Sequence, residues 1–240
     1  MPDNAKPLIL LTRPQNASER FGAMCRTAFG DAADVVIAPL MAIIPMPADL
    51  NLMDANGLIF TSAAAVEVYA RITTRRDLRA WCVGDHTADR ARAIGLTTQT
   101  AGGTAQDLLD LILAEHPHGR LVHLHGRHVR VDIAGRLRAA GHRAEGVAIY
   151  DQCAIPPDRT FHTTLQTNRR ILAPLFSPRS AQIFVRAVTS PPKNTLHTIA
   201  FSSAVAAHLP ASWQHRTVIA HAPNARAMIE KMQGLITRQG

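Results

Sequence analysis

The residues of this chain best able to do chemistry are hydroxyl side chains, glycines and arginines gathered in short loops. They are Thr12-Arg13-Pro14, Thr61-Ser62, Gly84-Asp85-His86-Thr87, Gly102-Gly103-Thr104, Gly126-Arg127-His128 with Arg130 close behind, Ser177-Pro178-Arg179-Ser180, Ser202-Ser203 and Pro223-Asn224. Most follow a short apolar run and precede a segment with helical spacing. At such a junction the free N–H groups and positive dipole end of the helix favour an anion, and Ser, Thr and Arg add donors of their own. Taken singly, each loop reads as an N-cap or a turn. Taken together, they suit a ligand that carries many carboxylates.

The charge balance agrees. Twenty-six Lys and Arg face eighteen Asp and Glu, a net +8, and twelve histidines add positive charge below neutrality. The arginines are scattered along the chain instead of lying on one helix or tail, and aromatic residues are only 5% of the total. Both features speak against nucleic acid as the partner and for a small polyanion.

Other chemistries lose support. There is no phosphate loop of the Walker type, no complete G-x-G-x-x-G after a strand, no G-x-S-x-G elbow and no H-E-x-x-H. His123, His125 and His128 could suggest a metal, since residues at i and i+2 of a strand share a side, but no carboxylate or thiol nearby completes a ligand set. No metal is expected. Cys25, Cys82 and Cys153 are far apart and odd in number, which reads as reduced thiols. Tyr150 and Trp81 read as packing residues. No apolar run is long enough to span a bilayer and the start lacks a leader pattern, so a cytoplasmic protein without membrane contact is expected.

The elements that must hold these loops follow from periodicity. Leu8-Ile9-Leu10-Leu11 is the continuous apolar run of a parallel strand buried on both faces. Phe21, Met24, Cys25, Ala28 and Phe29 then make one apolar helical stripe that ends near Gly30. The alternation repeats at 57–62 into a helix near Ala63, at 81–85 into a helix near His86, and at 121–126 into a helix bearing Ile133, Leu137 and Ala140. Gly102-Gly103-Thr104 opens a further helix with Ala105, Leu108, Leu109, Ile112 and Leu113 on one face. The pattern predicts parallel sheets with helices on both faces.

The two halves also echo each other. Ile59-Phe60-Thr61-Ser62 matches Leu175-Phe176-Ser177-Pro178 at an offset of 176 − 60 = 116, Val83-Gly84-Asp85 matches Phe201-Ser202-Ser203 at 118, and Gly103-Thr104-Ala105 matches Pro223-Asn224-Ala225 at 120. A duplicated α/β unit explains an order preserved three times. Two extended, proline-closed segments, 35–45 and 145–156, break the rhythm and read as crossover strands. They divide the chain into a discontinuous α/β domain of residues 1–34 plus 157–240 and a second α/β domain of residues 46–144.

With these motifs in order, the chain resembles the uroporphyrinogen-III synthase family over essentially its whole length. The resemblance is carried by Leu11-Thr12-Arg13-Pro14, by 58–66, by Val83-Gly84-Asp85-His86-Thr87-Ala88, by Gly102-Gly103-Thr104-Ala105, by Gly126-Arg127 through Gly141, by Val147-Ala148-Ile149-Tyr150, and by Phe176-Ser177-Pro178-Arg179-Ser180-Ala181. The chain departs from the family in the second half. The glycine-proline-threonine turn is replaced by Ala200-Phe201-Ser202-Ser203-Ala204, so Ser202 or Ser203 must stand in for the threonine. The tyrosine that the family often has between the second crossover and the Ser-Pro motif is also missing.

The resemblance implies two Rossmann-like parallel-sheet domains joined by a two-stranded crossover, with the active site in the interdomain cleft. It implies a cofactor-independent lyase, a hydro-lyase, that closes hydroxymethylbilane to uroporphyrinogen III with loss of water and inversion of the last pyrrole ring, in tetrapyrrole (haem, chlorophyll or cobalamin) biosynthesis. Because the free substrate also closes without the inversion, catalysis here is chiefly the holding of one conformer. The expected substrate-binding residues are Arg13, Thr61, Ser62, Gly84, Thr87, Gly103, Thr104, Arg127, Arg130, Ser177, Ser180, Ser202 and Ser203, with no single essential acid. The expected partners are the linear, carboxylate-rich tetrapyrrole and, transiently, the upstream hydroxymethylbilane synthase, with the protein a monomer. The rival reading is a non-catalytic two-domain module that binds an anionic metabolite.

Overall fold

The computed structural model describes residues 5–48, 50–129, 131–189 and 196–237. In chain order the elements are β1 (Leu8–Leu11), α1 (Gln15–Phe29), β2 (Asp34–Ile37), β3 (Met41–Pro45), β4 (Ala55–Phe60), α2 (Ala63–Ile72), β5 (Arg79–Cys82), α3 (Asp85–Ala93), β6 (Thr97–Thr100) and α4 (Ala105–Glu115). There follow β7 (Arg120–Gly126), α5 (Ile133–Ala139), β8 (Arg143–Ala154), α6 (Arg159–Leu165), β9 (Ile171–Leu175), α7 (Pro178–Ala187), β10 (Leu196–Ala200), α8 (Ser203–Ala206), β11 (Thr217–Ile219) and α9 (Ala225–Ile236).

The chain divides into two compact units. Unit 1 is residues 1–42 with 153–240, and unit 2 is residues 43–152. The division falls inside β3 and β8. The segment 35–45, expected as one crossover strand, resolves into two strands: β2 pairs in parallel with β1, and β3 lies beside β8.

Unit 1 is built on a five-stranded sheet of order β11-β10-β9-β1-β2. Alternate residues of its strands face opposite cores, as the pleat requires. Leu10, Ile171, Ala173 and Leu175 pack with Phe161 of α6, Ala181 and Phe184 of α7 and Val205 of α8. Ile9, Leu11 and Leu172 pack on the other side with Phe21 and Cys25 of α1 and Met228 and Met232 of α9. The helix α1 does not present the stripe its apolar residues suggest. Met24 and Ala28 are exposed, while Ser18 and Gly22 are buried. A Cβ at Gly22 would stand 3.3 Å from both Leu11 and Val35, so a glycine at this contact lets the helix lie close on the sheet.

Unit 2 has a six-stranded sheet of order β3-β8-β7-β4-β5-β6. Leu58, Phe60, Ala80, Cys82, Val122 and Leu124 face α2 and α3 through Val66, Tyr69, Ala88 and Ala91. Their neighbours Ile59, Trp81 and Leu121 face α4 and α5 through Leu108, Ile112, Ile133 and Leu137. Ala140, expected on the buried side of α5, is exposed, and Ala134 takes its place.

Each sheet contains one point where the order of strands reverses. In unit 2 the chain moves outward from β4 through β5 to β6, then returns to lay β7 on the other side of β4. The helix after β4 and the helix after β7 therefore cover opposite faces. In unit 1 the same reversal falls between β1 and β9, followed by α1 and α7 on opposite faces. Loops leaving the carboxyl ends of the two strands at such a point diverge and leave a crevice, which is where open α/β sheets bind ligands.

Candidate functional site

In unit 2 the reversal lies between β4 and β7, and six side chains gather about its carboxyl end. Thr61 follows directly on β4, and its hydroxyl lies 3.1 Å from Nε2 of His123 on β7. His123 is only 2% exposed. Burial, and then the neighbouring His125, hold its pKa down to about 3, so the ring is neutral. The His125 ring stands 4.8 Å from that of His123, and its Nδ1 lies 2.7 Å from the carbonyl oxygen of Gly126.

Ser62 is the N-cap of α2 and accepts a 3.2 Å hydrogen bond from the N–H of Ala65. The same hydroxyl lies 3.0 Å from the phenol of Tyr150 on β8. Tyr150 is buried, and that burial raises its pKa against the smaller lowering effect of Ser62. It therefore stays a protonated phenol, able to donate. Room for its ring exists because residue 126 is glycine: a Cβ there would fall 2.7 Å from Tyr150 Cζ. Arg127 comes next, its N–H bonded to the Tyr150 carbonyl at 2.8 Å and its guanidinium 3.1 Å from Asp151. That guanidinium is 56% exposed and so open to a ligand.

The remaining expected residues of unit 2 form a second pair of loops. Gly84 is the N-cap of α3, and a Cβ on it would meet the Gly103 backbone at 3.4 Å. Gly103 has φ +108°, a region that favours glycine. Thr87 is buried, its N–H bonded to the Gly84 carbonyl. Thr104 is exposed and forms a capping box with Asp107, so its hydroxyl already serves α4. Among the expected residues of this unit, Arg130 lies outside the described residues.

In unit 1 the reversal lies between β1 and β9. Arg13 leaves β1 there, and its guanidinium carbon stands 4.2 Å over the ring of Phe176, the first residue after β9. Ser177 caps α7 in a capping box with Ser180, and their hydroxyls lie 3.1 Å apart. Ser202 is at the N-cap of α8 without a side-chain cap bond, and Ser203 is exposed.

The internal repeat survives with one correction. The helix N-caps Ser62 and Ser177 occupy matching positions, which sets the first offset at 177 − 62 = 115, not 116. Thr61 thus corresponds to Phe176. The later offsets stand: N-cap Gly84 matches Ser202 at 118, and N-cap Thr104 matches Asn224 at 120.

Tyr150, read from the sequence as a packing residue, is buried in the core, and it has in addition a hydroxyl partner 88 residues away that nothing local to 147–150 reveals. His123, His125 and His128 do not act as a set. His128 points to Asp151 at 3.9 Å, and among the described residues no group of three His, Cys, Asp or Glu is placed to hold a metal. No helix among the described residues is long and apolar enough to cross a membrane.

Among curated proteins nothing matches this chain. Of solved structures, the crystal structure of uroporphyrinogen-III synthetase from Helicobacter pylori 26695 is similar, with a TM-score of 0.64 at 14% identity, covering 96% of this chain and all of that one. At that identity the likeness speaks to the fold. The family model for uroporphyrinogen-III synthase HemD matches residues 27–230, which take in β2 through the first half of α9 and the loops described above other than that of Arg13. The chain belongs to the uroporphyrinogen-III synthase family.

Proposed function

We propose that this protein converts hydroxymethylbilane to uroporphyrinogen III, holding the substrate's acetate and propionate groups by the loops at the carboxyl ends of its two sheets. The observation that carries this reading is the family match over residues 27–230, on a fold whose strand-order reversals both carry hydrogen-bond donors or cations. The donors of unit 2 are Thr61, Ser62, Thr87, Arg127 and the backbone about Gly84 and Gly103, to which Thr104 and Arg130 are added. Those of unit 1 are Arg13, Ser177, Ser180, Ser202 and Ser203.

The reaction begins when the hydroxymethyl C–O bond breaks and the oxygen leaves as water with one added proton. The resulting azafulvene carbon bonds to the substituted α-carbon of the last pyrrole and forms a spiro intermediate. The older methylene bond to that carbon then breaks, leaving a second azafulvene on the third pyrrole, and the methylene carbon of that azafulvene bonds to the free α-carbon on the other side of the last pyrrole's nitrogen, which leaves the ring inverted. A proton lost from carbon restores the aromatic pyrrole and balances the one taken by the water. Tyr150, a buried protonated phenol beside Ser62, is the group best placed to supply that first proton. The pyrrole nitrogen's own electrons drive much of the C–O cleavage, so most of the catalytic effect is orientation.

We also take the protein to be a cytoplasmic monomer that meets the upstream hydroxymethylbilane synthase transiently. The chemical reason is that the free substrate closes unaided to the wrong isomer, so a short transfer keeps more of it usable.

The test is to supply the purified protein with hydroxymethylbilane made in the same tube, oxidise the products and separate uroporphyrins I and III. A predominance of type III supports the reading. Type I alone from folded protein, as without enzyme, would overturn it in favour of a non-catalytic module for an anionic metabolite.

A further inference from the structure

The crevice of unit 1 differs from that of unit 2 in having an aromatic floor. Phe176 meets Phe21 edge to face with centroids 4.9 Å apart, and its ring stands 5.6 Å from that of Phe201. Phe201 directly follows β10, and its counterpart in unit 2 at the offset of 118 is Val83, which has no ring. Arg13 lies on top, its guanidinium carbon 4.2 Å over Phe176. Its backbone is fixed: the buried Ser18 hydroxyl donates to the Arg13 carbonyl at 2.8 Å, and the N–H of Leu40 donates to the Thr12 carbonyl at 3.0 Å.

This arginine has an electrostatic deficit. Among the described residues no carboxylate pairs with it, while burial and the nearby Arg20 draw its pKa down to about 10. A ring face offsets part of the lost hydration of a guanidinium, and it engages the face of the cation, leaving the N–H groups in the plane for a planar acceptor. A carboxylate is the acceptor that fits such an edge with two bonds.

The sheet itself leaves room at this point. Pro174 lies in β9, between β1 and β10, and has no N–H to give. The β1–β9 register covers only Leu8↔Ile171 and Ile9↔Leu172, although the β9–β10 register runs on to Leu175. The carboxyl ends of β1 and β9 are therefore not paired with each other where Arg13 and Phe176 begin, although each keeps its outer neighbour, β2 or β10. In unit 2 the corresponding β4–β7 register continues to the last residue of β4, Phe60↔Leu124.

We infer that Arg13 on its floor of Phe176, Phe21 and Phe201 is the carboxylate anchor of unit 1, taking one acetate or propionate of the oligopyrrole where β1 and β9 part from each other. Phe176 and Phe201 are positioning residues that hold the guanidinium in place. The inference rests on the synthase reading for the identity of the ligand. It assigns to this cluster the holding role that the altered turn at 200–204 no longer provides through a threonine.

The experiment uses uroporphyrin III, the stable octacarboxylate form of the expected product, as a fluorescent probe of binding, beside the turnover assay. Arg13→Met weakens uroporphyrin binding by about tenfold and raises KM by a similar factor, with kcat and melting temperature little changed. Arg13→Lys recovers part of the loss, and so does free ethylguanidinium added to Arg13→Met. Phe176→Leu weakens binding, and Phe176→Tyr, which keeps a ring face, does not. Equal binding and KM in Arg13→Met and wild type overturn the anchor. If wild type makes type III and Arg13→Met is unaffected, the anchor alone fails. If wild type binds uroporphyrin through Arg13 but yields only type I, the synthase reading fails and the anchor stands. A wild type that neither binds nor turns over sinks both.

Discussion

The hydroxyls of Ser62 and Tyr150 lie 3.0 Å apart, joining the cap of α2 to β8 across 88 residues of sequence. The serine is thereby shared: it accepts the Ala65 N–H as a cap and meets the phenol that we assign to the departing water. Tyr150→Phe, which keeps the ring that fills the space beside Gly126, is expected to lower kcat by roughly ten- to a hundredfold with KM nearly unchanged. Type III remains the main isomer, because the substrate conformer is held elsewhere. Turnover falling to the uncatalysed level would contradict a site of many distributed contacts.

Gly126→Ala tests the same phenol from its other side. The added Cβ would stand 2.7 Å from Tyr150 Cζ and 3.1 Å from its oxygen, so the ring must move. Overpacking of this kind typically costs about 1–3 kcal/mol of stability. The expected result is a lower melting temperature together with a kcat reduced toward that of Tyr150→Phe. Placing both changes in one chain should then add little further loss of kcat, since they act on one group.

His123 supplies a pH dependence with a definite sign. Its folded-state pKa, about 3, lies below the ordinary value of 6.5, so the unfolded chain binds the extra proton first. The contribution of this residue to stability is whole above about pH 6.5 and is lost as the pH falls toward 3. His123→Phe removes the titration and the bond to Thr61, which costs about 1 kcal/mol at neutral pH. Chemical denaturation at stepped pH should show the gap between wild type and variant closing, then reversing, on acidification. A gap constant from pH 7 to pH 4 would mean that the ring is not held neutral.

Arg127 is held 3.1 Å from Asp151 while more than half exposed. Asp151 is only 13% exposed and its Oδ1 is buried without a hydrogen-bond partner, so desolvation of the carboxylate offsets much of the ion pair, and Asp151→Asn, which keeps the shape, should barely shift the melting temperature. It removes one negative charge from the path of a polyanion. KM for hydroxymethylbilane is therefore expected to fall in low salt, and the advantage over wild type to shrink as ionic strength rises. A higher KM at every salt concentration would instead make Asp151 a necessary orienting group.

Much of this architecture could be read from short runs of residues, and the reasons it could or could not are physical. Leu58-Ile59-Phe60 is apolar without a break because each residue meets a packed face, and Ser62 announces the helix that follows. The helix α1 misled because the spacing of Phe21, Met24, Cys25 and Ala28 is compatible with more than one rotation, and the close approach at Gly22 decided among them. The hydroxyl pairs Thr61 with His123 and Ser62 with Tyr150 are products of strand order. Local pattern says which residues end a strand but not which strands end side by side. The aromatic floor under Arg13 was hidden for the same reason, since Phe21, Phe176 and Phe201 come from three distant segments.

The way unit 1 is assembled has a consequence for how the protein comes into being on the ribosome. Unit 2 is one unbroken stretch, and its strands can pair as soon as residue 152 has emerged. Strand β1 must wait. Its partner β9 begins at Ile171, so Leu8 stays without that neighbour while some two thirds of the chain is synthesised. Closing so long a loop costs more entropy and time than any pairing within unit 2. Until then the run Leu8–Leu11 is an exposed apolar strand with only β2 to cover it. Unit 2 is therefore expected to fold first and unit 1 last, and residues 1–42 are the part of the nascent chain that needs cover in the meantime.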